Sequence, residues 1–438
     1  MITMENKQRV KTIAVIFIIA IVLISLITEF LYIFNNKYTY SKLQPEKGVL
    51  TLSQEEIDSN SFHFLIKDWE FYEDALLTPT YFKNQTSLPN MKYISIGDTE
   101  SVYTSQTKNN TFIGTYRMKI NFPEKEGFYA LEMPQVYSAY ELYINDKLYL
   151  KVGDTHNYKA QIQNRCTFFT ASGETYITIA VKDASGIKAG ITSPPTLGKP
   201  YSINITRAFK FLINNFIMTL IFFGALFSLI LAISGKSNYS YMFFFMCLIY
   251  AVYLNHPLIN LCFSMGGNFS YVFEYFCTHF VYLMVIMLQN RLCNLNKNVS
   301  SISEICGSVF CAIAFVYGVF TPYLSAPLCT FLSTLCNVFE WLAAIYLVAI
   351  GTYAVFNDIK YGRIFLFGNV CFAASLLLYI IQPLYDSIYT DQSVEMGILT
   401  ILGCLYFVYW ASIIDNYRRN IVLDDERRLM ERQINLYK

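Results

Sequence analysis

Two sets of residues in this 438-residue sequence combine types and spacings that could do chemistry. The first lies in a polar stretch, residues 35–206, and comprises Trp69, Tyr72, Arg117, Glu141, Tyr143 and His156. Aromatic rings stack on the C–H faces of sugars, and arginine, carboxylate and phenol groups bond to hydroxyls. Tyr116 and Tyr140 share the aromatic character, but on alternating strands they, like Trp69, also suit an inward core, and that reading stays open. Arg117, Glu141 and Tyr143 fall on the opposite strand faces, as binding groups or as a solvated surface. His156 follows Gly153-Asp154 in an expected loop, where binding residues concentrate. The second set, Glu274, His279, Asn337 and Glu340, lies inside apolar runs. A charge at bilayer depth costs about 2.5–3.5 kcal/mol, so each needs a reason. Asn337, Glu340 and Ala344 are spaced to share one helix face, which is expected to meet other helices as polar glue or as part of a relay. Glu274 and Thr278 are one turn apart, and His279 points elsewhere.

No H-E-x-x-H, G-x-S-x-G or Gly-rich phosphate loop is present, so neither a catalytic residue nor a cofactor is assigned. Ten of the 11 cysteines lie from Cys247 onward, spread singly through apolar segments, which disfavours a metal site. Cys166 alone falls in the polar stretch and has no local disulfide partner.

The elements that must position these residues follow from composition. Hydrophobic residues make up 54% and charged residues 15%, with a mean hydropathy of +0.35. Ordinary soluble domains carry about 25% charged residues, so much of the chain belongs in lipid. A net charge of +1 offers no basic excess for a nucleic-acid backbone. Residues 1–11 form a basic N-terminus, and residues 12–33 are long enough for an uncleaved transmembrane anchor. Residues 211–414 divide into seven apolar segments: 211–234, 239–255, 269–290, 303–321, 326–356, 363–384 and 394–414. Loops bearing Lys236, Arg291 with Lys297, and Lys360 with Arg363 alternate with loops free of Lys and Arg. One of the latter carries Asp386 and Asp391. The positive-inside rule then puts both termini in the cytoplasm and residues 35–206 outside.

Within that outer stretch, Thr115–Ile120 and Ala139–Ile144 alternate apolar and polar residues, and Asn145-Asp146 suits a tight hairpin. Thr175–Val181 reads as a further strand, giving an all-β sandwich. Asp68-Trp69-Glu70-Phe71-Tyr72, Leu76-Leu77-Thr78-Pro79, Gly114-Thr115-Tyr116-Arg117 and Ser138–Asn145 together resemble a galactose-binding-like jelly roll. Such a module opens family-two glycoside hydrolases. With seven spans following, the chain resembles bacterial seven-transmembrane receptors with diverse intracellular signalling modules. The resemblance implies an extracytoplasmic jelly roll binding a small molecule or carbohydrate, and a seven-helix bundle feeding a kinase or cyclase output domain. That domain is not in the sequence, and Asp146 stands where the family has glycine. Either the gene continues past Lys438 or a separate cytoplasmic partner supplies the output.

The tail, residues 415–438, is charged and helix-forming, with Val422, Leu429 and Leu436 at heptad spacing. That pattern raises a homodimer through the C-terminal helix, against a merely solvated helix. The expected function is that of a plasma-membrane receptor. A membrane-embedded cell-surface glycan transferase or carrier with a sugar-docking module is the alternative, and a structural partner protein is the third reading.

Overall fold

The computed structural model describes residues 4–40, 43–59, 62–84, 90–97, 112–184, 189–234, 239–256, 259, 262, 267–381, 384–389 and 393–436. Lys236 and Asp391 therefore lie outside the described residues.

The alternating segments form a two-sheet sandwich. Strands β1 (Val49–Thr51), β3 (Trp69–Glu73), β4 (Met91–Ile94), β5 (Phe112–Asn121), β7 (Ala139–Ile144), β8 (Lys147–Val152) and β10 (Glu174–Asp183) build the larger sheet. Its order is β4-β3-β5-β10-β7-β8, with β1 parallel to β5. The smaller sheet holds β2 (Phe62–Phe64), β11 (Thr196–Gly198), β6 (Gly127–Met133) and β9 (Arg165–Ala171), in that order. Inward-facing Trp69, Phe71, Tyr116, Met118, Tyr140, Leu142, Ile177 and Ile179 fill the core between the sheets. The period-2 alternation thus sets the register, because a one-residue slip would turn these side chains outward. At the β7–β8 hairpin Asn145 adopts φ 51°, and its Oδ1 accepts the Tyr176 N–H at 2.8 Å.

Among the described residues, seven helices are long and apolar enough to cross a membrane. They lie within α1 (Met4–Phe34), α5 (Pro200–Ile233), α7 (Gly267–Leu292), α8 (Lys297–Phe320), α9 (Ala326–Phe356), α10 (Gly362–Ile381) and α11 (Ser393–Leu436). An eighth apolar helix, α6 (Ser240–Leu254), has 15 residues. The short helices α2 (Lys37–Tyr40), α3 (Gln54–Asp58) and α4 (Pro79–Asn84) belong to the sandwich and its approach. Met246, Tyr250, Val285, Phe339, Leu347, Phe365 and Leu405 pack the bundle interior. Outward faces carry large apolar side chains such as Ile18, Phe216 and Ile345. Continuous apolar surface of this kind suits lipid.

Several bounds and the packing of the first helix differ from expectation. Helix α5 begins at Pro200 rather than 211, because proline fits the first helical position and the added turns lie against the smaller sheet. The expected tail element is the uninterrupted continuation of α11, for no Gly or Pro breaks it. The first helix is a full member of the bundle, with Ala20 buried against Leu366, Val370 and Cys371 of α10.

Candidate functional site

The outer face of the larger sheet gathers most of the polar candidates. Cross-strand register aligns Glu70, Arg117, Thr178 and Tyr143 in one row, and Tyr72, Thr115, Ala180, Glu141 and Lys151 in the next. Thr115, Thr178 and Ala180 form a buried floor of small side chains between two walls.

One wall is centred on Arg117. Its guanidinium lies between the rings of Phe82 and Tyr176, 4.4 and 4.3 Å from their centroids, and pairs with Glu70 at 3.3 Å. Helix α4 delivers Phe82, which also packs on Tyr72. The Tyr72 hydroxyl donates to Glu70 at 3.0 Å. Burial, followed by the Glu70 charge, pushes the Tyr72 phenol up to about 12.

The other wall is centred on Glu141. It accepts hydrogen bonds from Tyr143 at 2.7 Å and Thr155 at 3.2 Å, and pairs with Lys151 at 3.1 Å. Burial works against its charge, but the bonds from Tyr143, Lys151 and Thr155 outweigh it and hold the carboxyl below its ordinary range. Burial and the Glu141 bond push the Tyr143 phenol up to about 12. The walls therefore offer fixed carboxylates, phenols and a stacked cation, a donor and acceptor set suited to a polyhydroxylated ligand. No group of three or more His, Cys, Asp or Glu among the described residues could hold a metal ion.

Two other candidates stand apart. Trp69 is a correction: its ring is fully buried in the core and its Nε1–H donates to the Leu65 carbonyl at 3.0 Å. It turns inward because it shares the core-facing side of β3 with Phe71. His156 is exposed on a turn where Asp154 Oδ1 accepts its backbone N–H at 2.9 Å and Lys182 Nζ donates to its carbonyl at 3.1 Å. Glu70, Phe82, Tyr176, Thr155 and Lys151 were missed. Glu70 and Lys151 carried a signal, since each alternates with core residues on its strand; Phe82 carried only Pro79 as a helix start.

The apolar-segment candidates divide likewise. Glu274 meets the sandwich: the Tyr137 hydroxyl donates to its carboxylate, and His256 Nε2 lies 3.3 Å from it. His279 is fully buried, with Nδ1 2.8 Å from the Tyr275 carbonyl and its ring 5.7 Å from that of Phe339. Glu340 is half-buried and Ala344 buried, but Asn337 is exposed, which corrects the expected shared buried face. Neighbours decide this: α10 and α1 cover Val348 and Val355, in the second half of α9, whereas Phe331, Thr334 and Val338, near Asn337, remain exposed. Sequence reading missed the fully buried reciprocal amide pair of Gln289 and Asn369, bonded at 2.8 Å in both directions.

No protein-family model matches the chain, and no curated protein matches it. Among solved structures, a GH2 β-galacturonidase from Eisenbergiella tayi bound to galacturonate is 10% identical with a TM-score of 0.24. The match covers 32% of this chain and 24% of that one. A β-glucuronidase of Faecalibacterium prausnitzii is 14% identical with a TM-score of 0.23, over 32% of this chain and 31% of that one. A β-glucosidase from Kluyveromyces marxianus in complex with glucose is 17% identical with a TM-score of 0.20, over 34% and 17%. The chain thus spans less than a third of these structures' length.

Proposed function

We propose that this chain is a receptor of the plasma membrane, in which an exported jelly roll binds a small polyhydroxylated ligand and eight helices relay its state inward. The observation that carries this reading is the placement of charge on the bundle. Arg9, Arg291, Lys297, Lys360 and Arg363 lie at helix ends remote from the sandwich, where the Arg9 guanidinium also donates to the Phe356 carbonyl. By the positive-inside rule that end faces the cytoplasm and the sandwich faces outward. Helix α11 then carries the bundle inward as a tail with Val422 and Leu429 exposed, available to a second copy or to a separate signalling partner.

The Arg117 and Glu141 walls over a floor of small residues supply the ligand surface, in keeping with carbohydrate. A glycan transferase would need acidic side chains converging on a wet cavity, and the apolar cluster around Met246, Tyr250, Phe339 and Leu405 favours a relay instead. The test is binding to the full chain in lipid nanodiscs, read as thermal shift against a panel of neutral and acidic mono- and oligosaccharides. Stabilisation that disappears in Arg117→Ala and Glu141→Ala is expected. A panel with no stabilising sugar, or stabilisation untouched by both substitutions, removes the ligand assignment.

A further inference from the structure

The sandwich touches the bundle through unlike contacts. On one side Phe62, Phe64 and Ile66 pack with Tyr38, Ile388 and Tyr389, and Tyr40 stacks on Phe62 at 5.1 Å. The adjoining chain is tied down by Lys37 to Asp386 at 2.8 Å, by Asn36 Nδ2 to the Leu384 carbonyl at 3.0 Å, and by the Tyr389 N–H to Asn35 Oδ1 at 2.7 Å. Helix α5 adds Arg207 to Glu132 at 3.3 Å. That side is an apolar, multiply bonded seat.

On the other side the sandwich reaches α7. Tyr137, in the β6–β7 connection, donates to Glu274, with His256 beside the same carboxylate. Tyr137 and Ile162 pack with Tyr317 and Tyr275 around this bond. The single bond from Tyr137 is made or lost over a small displacement, whereas the larger cluster with its several bonds yields only as a unit.

Fifteen residues further along α7, about 22 Å at helical rise, Gln289 is locked to Asn369 of α10. Asn369 also donates to the Leu347 carbonyl of α9 at 2.6 Å. Just before α10, Lys360 and Tyr361 both bond Asp415 of α11. Both members of the amide pair are fully buried, so neither can release the other without stranding a polar group.

We propose that α7 is the transmission rod of the molecule: Tyr137 grips it through Glu274 at one end, and the Gln289–Asn369 pair hands its displacement to α10 and the tail helix α11 at the other. A sandwich pivoting on its apolar seat would thereby move α11 without any ligand entering the bundle. The inference deepens the receptor reading and rests on it, yet its mechanical content can be measured with no ligand present.

The test is hydrogen exchange by mass spectrometry on the full chain in lipid nanodiscs. Tyr137→Phe and Glu274→Gln should each speed exchange about fivefold over residues 270–278 and also over residues 409–420, as expected for loss of one cooperative contact. The double variant should exchange no faster than the faster single one, because Tyr137→Phe removes the donor of the same bond whose charged acceptor Glu274→Gln weakens. In a Gln289→Leu/Asn369→Leu background, Tyr137→Phe should still loosen residues 270–278 but leave residues 409–420 unchanged. Tyr137→Phe keeps its ring in the cluster, so it carries the test should Glu274→Gln fail to fold. Faster exchange confined to residues 270–278 in the single variants, or at residues 409–420 despite the leucine pair, overturns the proposal. Intact coupling in a chain that binds no sugar would sink the receptor reading and leave the rod in place.

Discussion

Arg117 is held by two rings as much as by its acid. A lysine there would keep the charge but lose the planar stack between Phe82 and Tyr176. Arg117→Lys is expected to destabilise the sandwich by about 1–2 kcal/mol, judged from the worth of desolvated cation–π contacts, with melting of the full chain as the measure. Glu141 gives a pH-dependent counterpart. Its carboxyl lies below its ordinary value of 4.5 in the folded state, so it stabilises the fold above that value and ceases to do so as pH falls through the folded value. Wild-type sandwich stability should therefore drop on acidification below that ordinary value, and Glu141→Gln should flatten this acid limb; an unchanged limb would refute the assignment. Tyr140 differs again: its ring is fully buried and its hydroxyl has no hydrogen-bond partner among the described residues. Tyr140→Phe removes a desolvated polar group at almost constant shape, so melting should stay level or rise by up to about 1 kcal/mol.

Helix packing depends on close approach at a few glycines. A Cβ on Gly351 would lie 2.7 Å from the Leu366 Cα, backbone that cannot yield without moving α9 from α10. Gly351→Val should cost about 1–3 kcal/mol through overpacking, seen as a lower melting temperature in detergent and faster proteolysis of the α9–α10 turn. Element type and order were legible because two periodicities dominate the chain. Alternation in β5 and β7 and the apolar run of 326–356 can each be satisfied in essentially one way. What escaped sequence reading depended on distant neighbours. Nothing local in residues 79–84 says that Phe82 covers Arg117, nor does Asn369 announce a partner 80 residues away. Asn337 shows the converse limit, since helical spacing fixes a direction but not what stands there.

At the scale of the molecule, the first helix is bound into the bundle by Asn35, Asn36 and Lys37 as well as by its own apolar face. Removing residues 1–37 should thus lower the melting temperature of the remaining chain in lipid, and supplying them as a separate membrane-inserted peptide should restore part of it. A chain equally stable without them would show the anchor to be a mere tether. The orientation drawn from the basic helix ends predicts that a reporter fused after Lys438 is active only in the cytoplasm.

One dimension of the bundle bears on the lipid itself. At 15 residues α6 rises only about 22 Å, against a hydrocarbon slab near 30 Å, while Tyr241 and Phe245 look outward from it. Where that flank meets lipid, acyl chains are expected to shorten or splay around it, thinning the bilayer locally. Thin or short-chain membranes should host it more comfortably than thick, ordered ones.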